Sequence, residues 1–506
     1  MEKTLISRIQ KTSQLREVFL LRLCYTICMN VARNTAIMLI GSIGQKIVSL
    51  VYFAFLVRQL TQGETGDYSA ALAFSTLFVV FVDLGMNNIL IRNAAQDKES
   101  SSYLTSQILC IKIFTGILAY TALMATGLIR GFETNFLILI AITGVAMLLD
   151  ATHLTFYGFL RAQGKLHYEA WALTGSQLLT MTVGTIGLLM GAKVAFLLCA
   201  FAITSAANVW YSFVQAKKHG LNLTWPDSLS KAGRGILKTA WPFSLALIFG
   251  RFYSYSDIIL LKMLKGSEAV AIYSTPSKIS FAFQFIPLAF MAALYPRLSE
   301  LAKANYAEFK NALSLSIKYL LLIAAPISVG TFILAKPIII FAFTDKFLDS
   351  VVPMQILIVS LVFAFISFPL GAALNASGQE RRQTWLTAGT LLVNVIANFI
   401  YIPIYGATGA AWAALLGNTT LGTVGFFLLP KHFRADFKIL GPVLIKLFIC
   451  VGSMGATVWE TYNSSENLFL SIIVGGIVYV GLVWLTGLLS VSEIKKLRVK
   501  NIDQIV

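Results

Sequence analysis

Long apolar stretches alternate with short polar connections from residue 34 almost to the end of the chain. Each stretch has about 20 residues, the length at which an α-helix crosses the hydrocarbon core of a bilayer. The pattern predicts fourteen spans, at 34–57, 68–91, 103–129, 134–159, 170–191, 194–215, 240–261, 269–295, 313–343, 351–376, 384–404, 407–429, 441–459 and 467–489. The ninth span is the longest and contains Pro326 and Pro337, which predicts a kink or a break within it.

Composition excludes an ordinary soluble protein. Of the 506 residues, 57% are hydrophobic and only 12% are charged, whereas soluble domains carry roughly 25% charged residues. A soluble globule cannot bury that much apolar surface, but a bilayer can receive it. We therefore expect an all-α polytopic membrane protein.

The basic residues are distributed unevenly between the two sides that alternating spans create. If the N-terminus is inside, 28 of the 40 Lys and Arg residues lie on the cytoplasmic side, 7 lie outside and 5 lie within spans. Lys and Arg concentrate in cytoplasmic loops, so this distribution predicts that both termini are cytoplasmic. The formal charge of +17 is then a topology signal, and no nucleic-acid partner is expected.

A faint internal repeat divides the first twelve spans into two groups of six. The stretch 56–69 is similar to 260–274, since Arg58 matches Lys262 and Tyr68-Ser69 matches Tyr273-Ser274 after one inserted residue. Parallel repeats of this kind are a transporter architecture, with chance similarity as the alternative. The predicted divisions are a basic amphipathic cytoplasmic segment (1–33), an N-terminal six-helix lobe (34–215), a cytoplasmic linker (216–239), a C-terminal six-helix lobe (240–430), two extra transmembrane helices (431–490) and a cytoplasmic tail (491–506).

Five groups of short motifs occur in a specific order. They are Arg33-Asn34, Gly41 and Gln45-Lys46 with Leu56-Val57-Arg58-Gln59-Leu60; Phe81-Val82-Asp83-Leu84-Gly85-Met86; Tyr157 to Tyr168; Pro242-Phe243 with Asp257-Ile258-Ile259-Leu260; and Pro403, Gly406 and Gly409-Ala410-Ala411. Together they resemble the polysaccharide (Wzx-type) flippases, in the MOP superfamily that also holds MATE exporters and lipid II flippases. The resemblance extends over about residues 33–490.

The resemblance has implications for fold, function and partners. It implies two pseudo-symmetric lobes that export a polyprenyl-(pyro)phosphate-linked oligosaccharide across the inner membrane by alternating access, for O-antigen, capsule or exopolysaccharide synthesis. A polysaccharide polymerase and chain-length machinery are the partners it suggests beside membrane lipids. The chain departs from the pattern in having Ala271 for a Gly and a longer basic segment before Arg33, so a start at Met29 is an alternative.

Charged residues inside the spans are candidates for function, because an ionised side chain at mid-bilayer costs roughly 3 kcal/mol. The cations are Lys46, Lys112, Arg251, Lys278 and Lys446, and the acids are Asp83, Asp150 and Asp257. The implied substrate carries phosphate, so we predict an anion site formed by Arg251, Lys46 and Lys278. The alternative is that these cations pair locally and are purely structural. Lys112 and Lys446 lie nearer the span ends and are expected to snorkel.

The three acids are candidates for coupling transport to a proton or sodium gradient, and no other cofactor is expected. For Asp83 the alternative is structural, holding Arg92 or a neighbouring helix in place. Asp257 is predicted near the external end of its span. The dispersed cysteines and histidines predict no metal site.

Other functions fit the sequence less well. A membrane glycosyltransferase would need acidic residues in an early external loop, and the first external loop offers only Glu64 and Asp67. A polysaccharide polymerase would be expected to have a large external loop, which the predicted spans do not leave room for. The sequence has no P-loop, so the chain is not expected to hydrolyse ATP. Because these enzyme classes fit poorly, the chain is expected not to be an enzyme. The remaining rivals are a lipid II-type flippase and a MATE-like multidrug exporter.

Overall fold

The computed structural model describes residue 38 and residues 41–224 and 229–489, and these form helices without any β-strand. The helices are α1 (41–59), α2 (Gln62–Asp83), α3 (Met86–Gln96), α4 (Ser101–Ile129), α5 (Thr134–Ala162), α6 (His167–Leu189), α7 (Val194–Lys218), α8 (Leu229–Lys265), α9 (Ser267–Phe283), α10 (Phe285–Ala304), α11 (Tyr306–Ile333), α12 (Ala335–Phe343), α13 (Val351–Ala376), α14 (Glu380–Leu428), α15 (Phe437–Ser465) and α16 (Leu468–Leu485). The predicted all-α polytopic membrane fold is confirmed.

Twelve segments of the described chain are long and apolar enough to cross a membrane. The predicted fourteen correspond to these twelve, the helix α1, and the second arm of α14. Helix α14 is broken at Gly406, whose φ of 55° lies in the left-handed region. A Cβ at Gly409 would lie 2.2 Å from the carbonyl oxygen of Tyr401, although eight residues of straight helix span about 12 Å. The chain therefore folds back here and makes two spans from one long helix.

The break predicted in the ninth span is confirmed. Helix α11 continues through Pro326 and ends at Ile333, and the short helix α12 follows from Ala335. Pro337 lies in the first turn of α12, where a missing backbone N–H leaves no intrahelical bond unmade.

Part of the predicted linker 216–239 is helical. Helix α7 extends to Lys218 and α8 begins at Leu229. The reason is apolar packing, because Ile236 and Ala240 of α8 are buried with Met86 and Ile108 of the N-terminal lobe. The predicted segments 1–33 and 491–506 lie outside the described residues.

The helices form two lobes with an added pair. Helices α1–α7 form the N-terminal lobe and α8–α14 the C-terminal lobe, and one core cluster continues across both, with Leu56 and Phe74 on one side and Leu261 and Phe343 on the other. Helices α15 and α16 pack outside the C-terminal lobe, where α15 contacts α11.

The two ends of the bundle are named here by their loops. The basic end contains the described connecting residues 97–100, 163–166, 219–224 and 377–379, and the closed end contains 60–61, 130–133, 190–193 and Gly266. Successive spans run in opposite directions between the two ends.

Candidate functional site

A cavity of about 500 Å³ lies between the two lobes. Lys46 of α1 lines it from the N-terminal lobe, and Arg251 of α8 and Lys278 of α9 line it from the C-terminal lobe. The structure thus brings together the three cations predicted for the anion site. The remaining polar lining is uncharged and includes Ser49 and Gln177.

These three cations have no carboxylate partner among the described residues. The described lining of the cavity contains neither Asp nor Glu. Lys46 and Arg251 are exposed to the cavity, whereas Lys278 is half-buried with its Nζ 5.2 Å from the centre of the Phe53 ring. The cavity therefore carries a net positive charge that nothing on its walls offsets.

Lys112 and Lys446 have different surroundings from those three. Lys112 is buried, and its Nζ lies 2.6 Å from Asp83 Oδ1 and donates to Thr155 Oγ1 at 2.7 Å. It does not snorkel, because the neighbouring helices supply a carboxylate and a hydroxyl. Lys446 is exposed and donates to the carbonyl of Thr486 at 2.9 Å.

Two of the three acids predicted inside spans also have basic partners. Asp83 is held by Lys112 of α4, a neighbouring helix, and no ion pair joins it to Arg92 in the described part of the chain. Asp150 lies 3.2 Å from His153 Nε2, one turn along α5.

Asp257 is different, because it is buried without a basic partner in the described chain. Its Oδ2 accepts from the hydroxyl of Tyr273 at 2.6 Å, and its Oδ1 accepts from Nδ2 of Asn398 at 2.6 Å. Asn394 extends the network and accepts hydrogen bonds from Ser256 at 2.9 Å and from Asn398 at 3.0 Å. These neighbours are neutral, so they orient the carboxyl group without cancelling its charge.

A second cavity of about 230 Å³ lies against Asp257. Ser254 and Ser277 line both this cavity and the cationic one, so the two spaces adjoin. Arg251 and Asp257 are on the same helix, and Lys278 and Tyr273 share the next, so α8 and α9 carry both the cations and the acid.

Sequence reasoning did not identify the asparagines beside Asp257. A signal was available, since Asn394 and Asn398 are four residues apart in an apolar span and so occupy one helix face. A paired polar face inside a membrane is expensive unless it has a partner or a function.

The closed end is held by contacts between the lobes. Lys262 of α8 lies 2.6 Å from Asp67 of α2, and Ser267 donates to the same carboxylate at 2.6 Å. A Cβ at Gly66 would lie only 1.8 Å from the carbonyl oxygen of Ser267. The backbones of α2 and α9 therefore touch, and only glycine permits this approach.

Residues at the end of α1 and the start of α2 strengthen the closed end. Arg58 donates to the carbonyls of Phe341 and, at 3.2 Å, Ala342 in α12. Gln62 donates to the carbonyl of Lys346 at 2.5 Å.

The two halves of the internal repeat meet at this end. Ser69 and Ser274, which the repeat makes equivalent, are both buried and hydrogen-bonded to each other at 3.2 Å. A residue that contacts its own equivalent lies near a two-fold axis, which agrees with two parallel repeats about one axis.

Two helical lobes enclose a cationic cavity that is closed at one end by contacts between repeated segments, and this arrangement defines a membrane transporter of the two-lobe class. The profile of the polysaccharide biosynthesis protein family matches residues 31–302, and that of the MatE family matches residues 242–400. The chain belongs to the polysaccharide biosynthesis protein family, and the resemblance found in the sequence is confirmed.

Several relatives align over most of the chain, among them one from Haloferax volcanii and one from Bacillus subtilis. The probable low-salt glycan biosynthesis flippase Agl15 of Haloferax volcanii is 21% identical over 89% of this chain and 95% of its own length. The teichuronic acid biosynthesis protein TuaB of Bacillus subtilis is 21% identical over 86% of this chain and 91% of its own length.

Solved structures agree with the fold. The lipid II flippase MurJ in an inward closed conformation superposes with a TM-score of 0.71 at 17% identity, covering 88% of this chain and 97% of MurJ. An inward-facing MATE family multidrug transporter superposes with a TM-score of 0.60 at 15% identity, covering 78% and 96%. At these identities the likeness supports the architecture alone.

Proposed function

We propose that this chain is a flippase for a polyprenyl-(pyro)phosphate-linked oligosaccharide and that it catalyses no covalent reaction. The observation that carries the proposal is the cavity that holds Lys46, Arg251 and Lys278 with no acid to balance them. Relatives named for glycan, teichuronic acid and O-antigen synthesis or transport support the substrate class.

The chemistry of the cavity favours an anionic headgroup. A guanidinium binds phosphate in a bidentate manner, and two ammonium groups add point charges that follow the headgroup as it moves. A cationic drug, by contrast, would be repelled by the three uncompensated charges. The charge of the cavity therefore favours a lipid-linked phosphate over the cargo of a cation exporter.

The proposed orientation places the basic end at the cytoplasm of the inner membrane, with both termini on that side. Its support is the uneven distribution of Lys and Arg over the loops. The closed end is then external. The oligosaccharide leaves there when the contacts between Asp67 and Lys262 and between Gly66 and Ser267 are broken. A polymerase and chain-length proteins outside the membrane would be the next partners.

Reconstitution tests the proposal directly. In proteoliposomes that contain the purified chain, we expect a fluorescent undecaprenyl-pyrophosphate oligosaccharide to become accessible to a glycosidase added outside, at a rate above that of empty liposomes. Lipid II and a cationic dye are the competing cargoes. Transport of the dye with no movement of the glycolipid would refute the proposal, and movement of lipid II alone would favour the lipid II-type rival.

We propose that Asp257 binds the coupling cation, a proton or Na⁺. Among the three membrane acids, Asp83 and Asp150 already contact Lys112 and His153, whereas Asp257 is surrounded by neutral groups. An isolated buried carboxylate is costly unless it takes up a cation. Because α8 and α9 also carry Arg251 and Lys278, a cation at Asp257 would act on the helices that hold the substrate.

Replacing Asp257 with Asn is expected to remove the dependence of flipping on the ion gradient while glycolipid binding survives. Asn keeps the size and the hydrogen-bonding capacity of the side chain but carries no charge and releases no proton. Flipping is measured with and without imposed proton and sodium gradients. The matched control is Asp150→Asn. Asp150 also lies in a membrane-spanning helix, but its carboxylate already contacts His153. A gradient dependence that is unchanged in Asp257→Asn excludes this residue from coupling.

A further inference from the structure

An outward-facing groove runs between α6 and α7. It has a volume of about 300 Å³. On α6 it is lined by Trp171, Gly175 and Leu179, which follow one another at intervals of four residues and so form one stripe. Trp171 is 72% exposed and Leu179 45% exposed, as expected of side chains that face lipid.

The opposite wall of the groove is more polar. Thr204, Asn208 and Tyr211 of α7 line it, and Asn208 accepts a hydrogen bond from the hydroxyl of Tyr157 at 2.5 Å. Helix α6 lies between the groove and the cationic cavity. The hydroxyl of Thr204, which lines the groove, is hydrogen-bonded at 2.7 Å to the hydroxyl of Thr180, which lines the cavity.

Both stripes end in basic residues at the basic end. His167 lies four residues before Trp171, and Lys218 lies seven residues after Tyr211, so each continues the stripe of its own helix. Between them, the Nζ of Lys165 donates to Nδ1 of His219 at 2.6 Å, and Nε2 of His219 lies 3.1 Å from the hydroxyl of Tyr168.

This basic cluster of Lys165, His167, Lys218 and His219 is not neutralised. The carboxylate of Glu169, near the start of α6, is already bound by Arg161. Burial together with Lys165, His167 and Lys218 lowers the pKa of His219, which keeps its ring neutral and leaves Nδ1 free to accept from Lys165. An ammonium has three donors, so Lys165 retains two for an external acceptor.

We propose that the groove and the basic cluster together bind one anionic phospholipid. Its phosphate contacts Lys165 and Lys218, and an acyl chain lies along Trp171, Gly175 and Leu179. Two features identify the occupant as an anionic phospholipid. The cluster is basic, and it lies at the end of an apolar groove, where the headgroup of a lipid would be when its acyl chain occupies the groove. Basic pockets between transmembrane helices are suited to anionic headgroups, and each surface lysine contributes about 1 kcal/mol to their attraction.

The test uses the full-length chain in detergent, delipidated and titrated with dioleoylphosphatidylglycerol, with bound lipids counted by native mass spectrometry. We expect one tightly retained phosphatidylglycerol and weaker binding of dioleoylphosphatidylcholine. The double variant Lys165→Gln/Lys218→Gln should bind phosphatidylglycerol about 30-fold more weakly, at roughly fivefold for each lysine. Lys217→Gln is the matched control, because Lys217 is adjacent in sequence but points away from the stripe.

A second variant tests the acyl-chain part of the proposal. Gly175 lines the groove, and a Cβ at this position meets no atom within 4 Å, so Gly175→Leu directs its side chain into the groove. Gly389→Leu is the control at a position of α14 where a Cβ also meets no atom within 4 Å. Only Gly175→Leu should reduce lipid retention. Equal retention of the two lipids, wild-type binding in the double variant, or full displacement of the lipid by millimolar inorganic phosphate would each overturn the proposal.

Discussion

Replacing Arg251 with Ala is expected to abolish flipping of the lipid-linked oligosaccharide while the protein still accumulates in the membrane. Arg251 is exposed to the cavity and has no acidic partner in the described chain, so its removal leaves no buried carboxylate unpaired. A hydrogen bond to a charged group contributes about 1.5–3 kcal/mol, which corresponds to roughly 10- to 150-fold in substrate affinity. The measurement is the initial rate of flipping in proteoliposomes of matched protein content.

Two variants make this result specific. Arg251→Lys keeps the charge but loses bidentate geometry, so part of the activity should remain. Lys446→Gln removes a membrane cation that donates to the carbonyl of Thr486 outside the cavity, and it should flip normally. Normal flipping by Arg251→Ala would disprove the anion site at this residue, and failure of the variant to accumulate would instead indicate a structural role.

Replacing Gly66 with Ala is expected to hold the closed end open and to slow the transport cycle. The new Cβ would lie 1.8 Å from the carbonyl oxygen of Ser267, and because the clash is with backbone, no side-chain rotation relieves it. Overpacking of this kind costs about 1–3 kcal/mol, which shifts the ratio of open to closed states by about 5- to 150-fold. Flipping should fall by a similar factor, because a complete cycle must close this end.

The conformational effect is measured by labelling. In a background without native cysteines, a cysteine at Ser254, which lines the cavity, should react faster with an impermeant maleimide added outside when Gly66→Ala is present. Gly63→Ala, on the same helix with no atom within 4 Å of the new Cβ, is the control and should leave the labelling rate unchanged.

The proposed orientation is tested by a second labelling position. A cysteine at Lys98 should react only from the cytoplasmic side. External labelling at that position would reverse the proposed orientation.

The overall fold could be predicted from the sequence because hydrophobic stretches of the required length determine it almost alone. The break between Pro326 and Pro337 is an example, because proline has no backbone N–H to donate in a helix, whatever residues surround it. The start of α8 could not be placed in the same way. Its first turns are polar in sequence, and only the apolar surface of α3 and α4, remote in the chain, makes Ile236 a buried residue.

The candidate site could be predicted only in part, for a similar reason. Lys46 and Arg251 precede the matching residues Arg58 and Lys262 by 12 and 11 residues, so their near-equivalence in the repeat can be read from the sequence. They line one cavity with Lys278, as predicted. The environment of each acid, however, depends on its tertiary neighbours. Asp83 meets Lys112 on another helix, and Asp257 meets Asn398 at a separation of 141 residues. Neither partner follows from local spacing, and these partners decide which acid keeps an uncompensated charge.

The contact between Ser69 and Ser274 has a consequence for how this protein could have arisen. In an ancestral homodimer of six-helix chains, the corresponding position would have met itself, so an isologous interface allowed only self-compatible residues there. Fusion of the two halves into one chain removes that constraint. Asp67 faces Lys262. Where the first half of the repeat has Asp67 before Tyr68, the second half has the apolar residues Ala271 and Ile272 before Tyr273. An acid at this place occurs in the first half of the repeat and not in the second. This chain therefore forms once a salt bridge that identical subunits could form only twice or not at all.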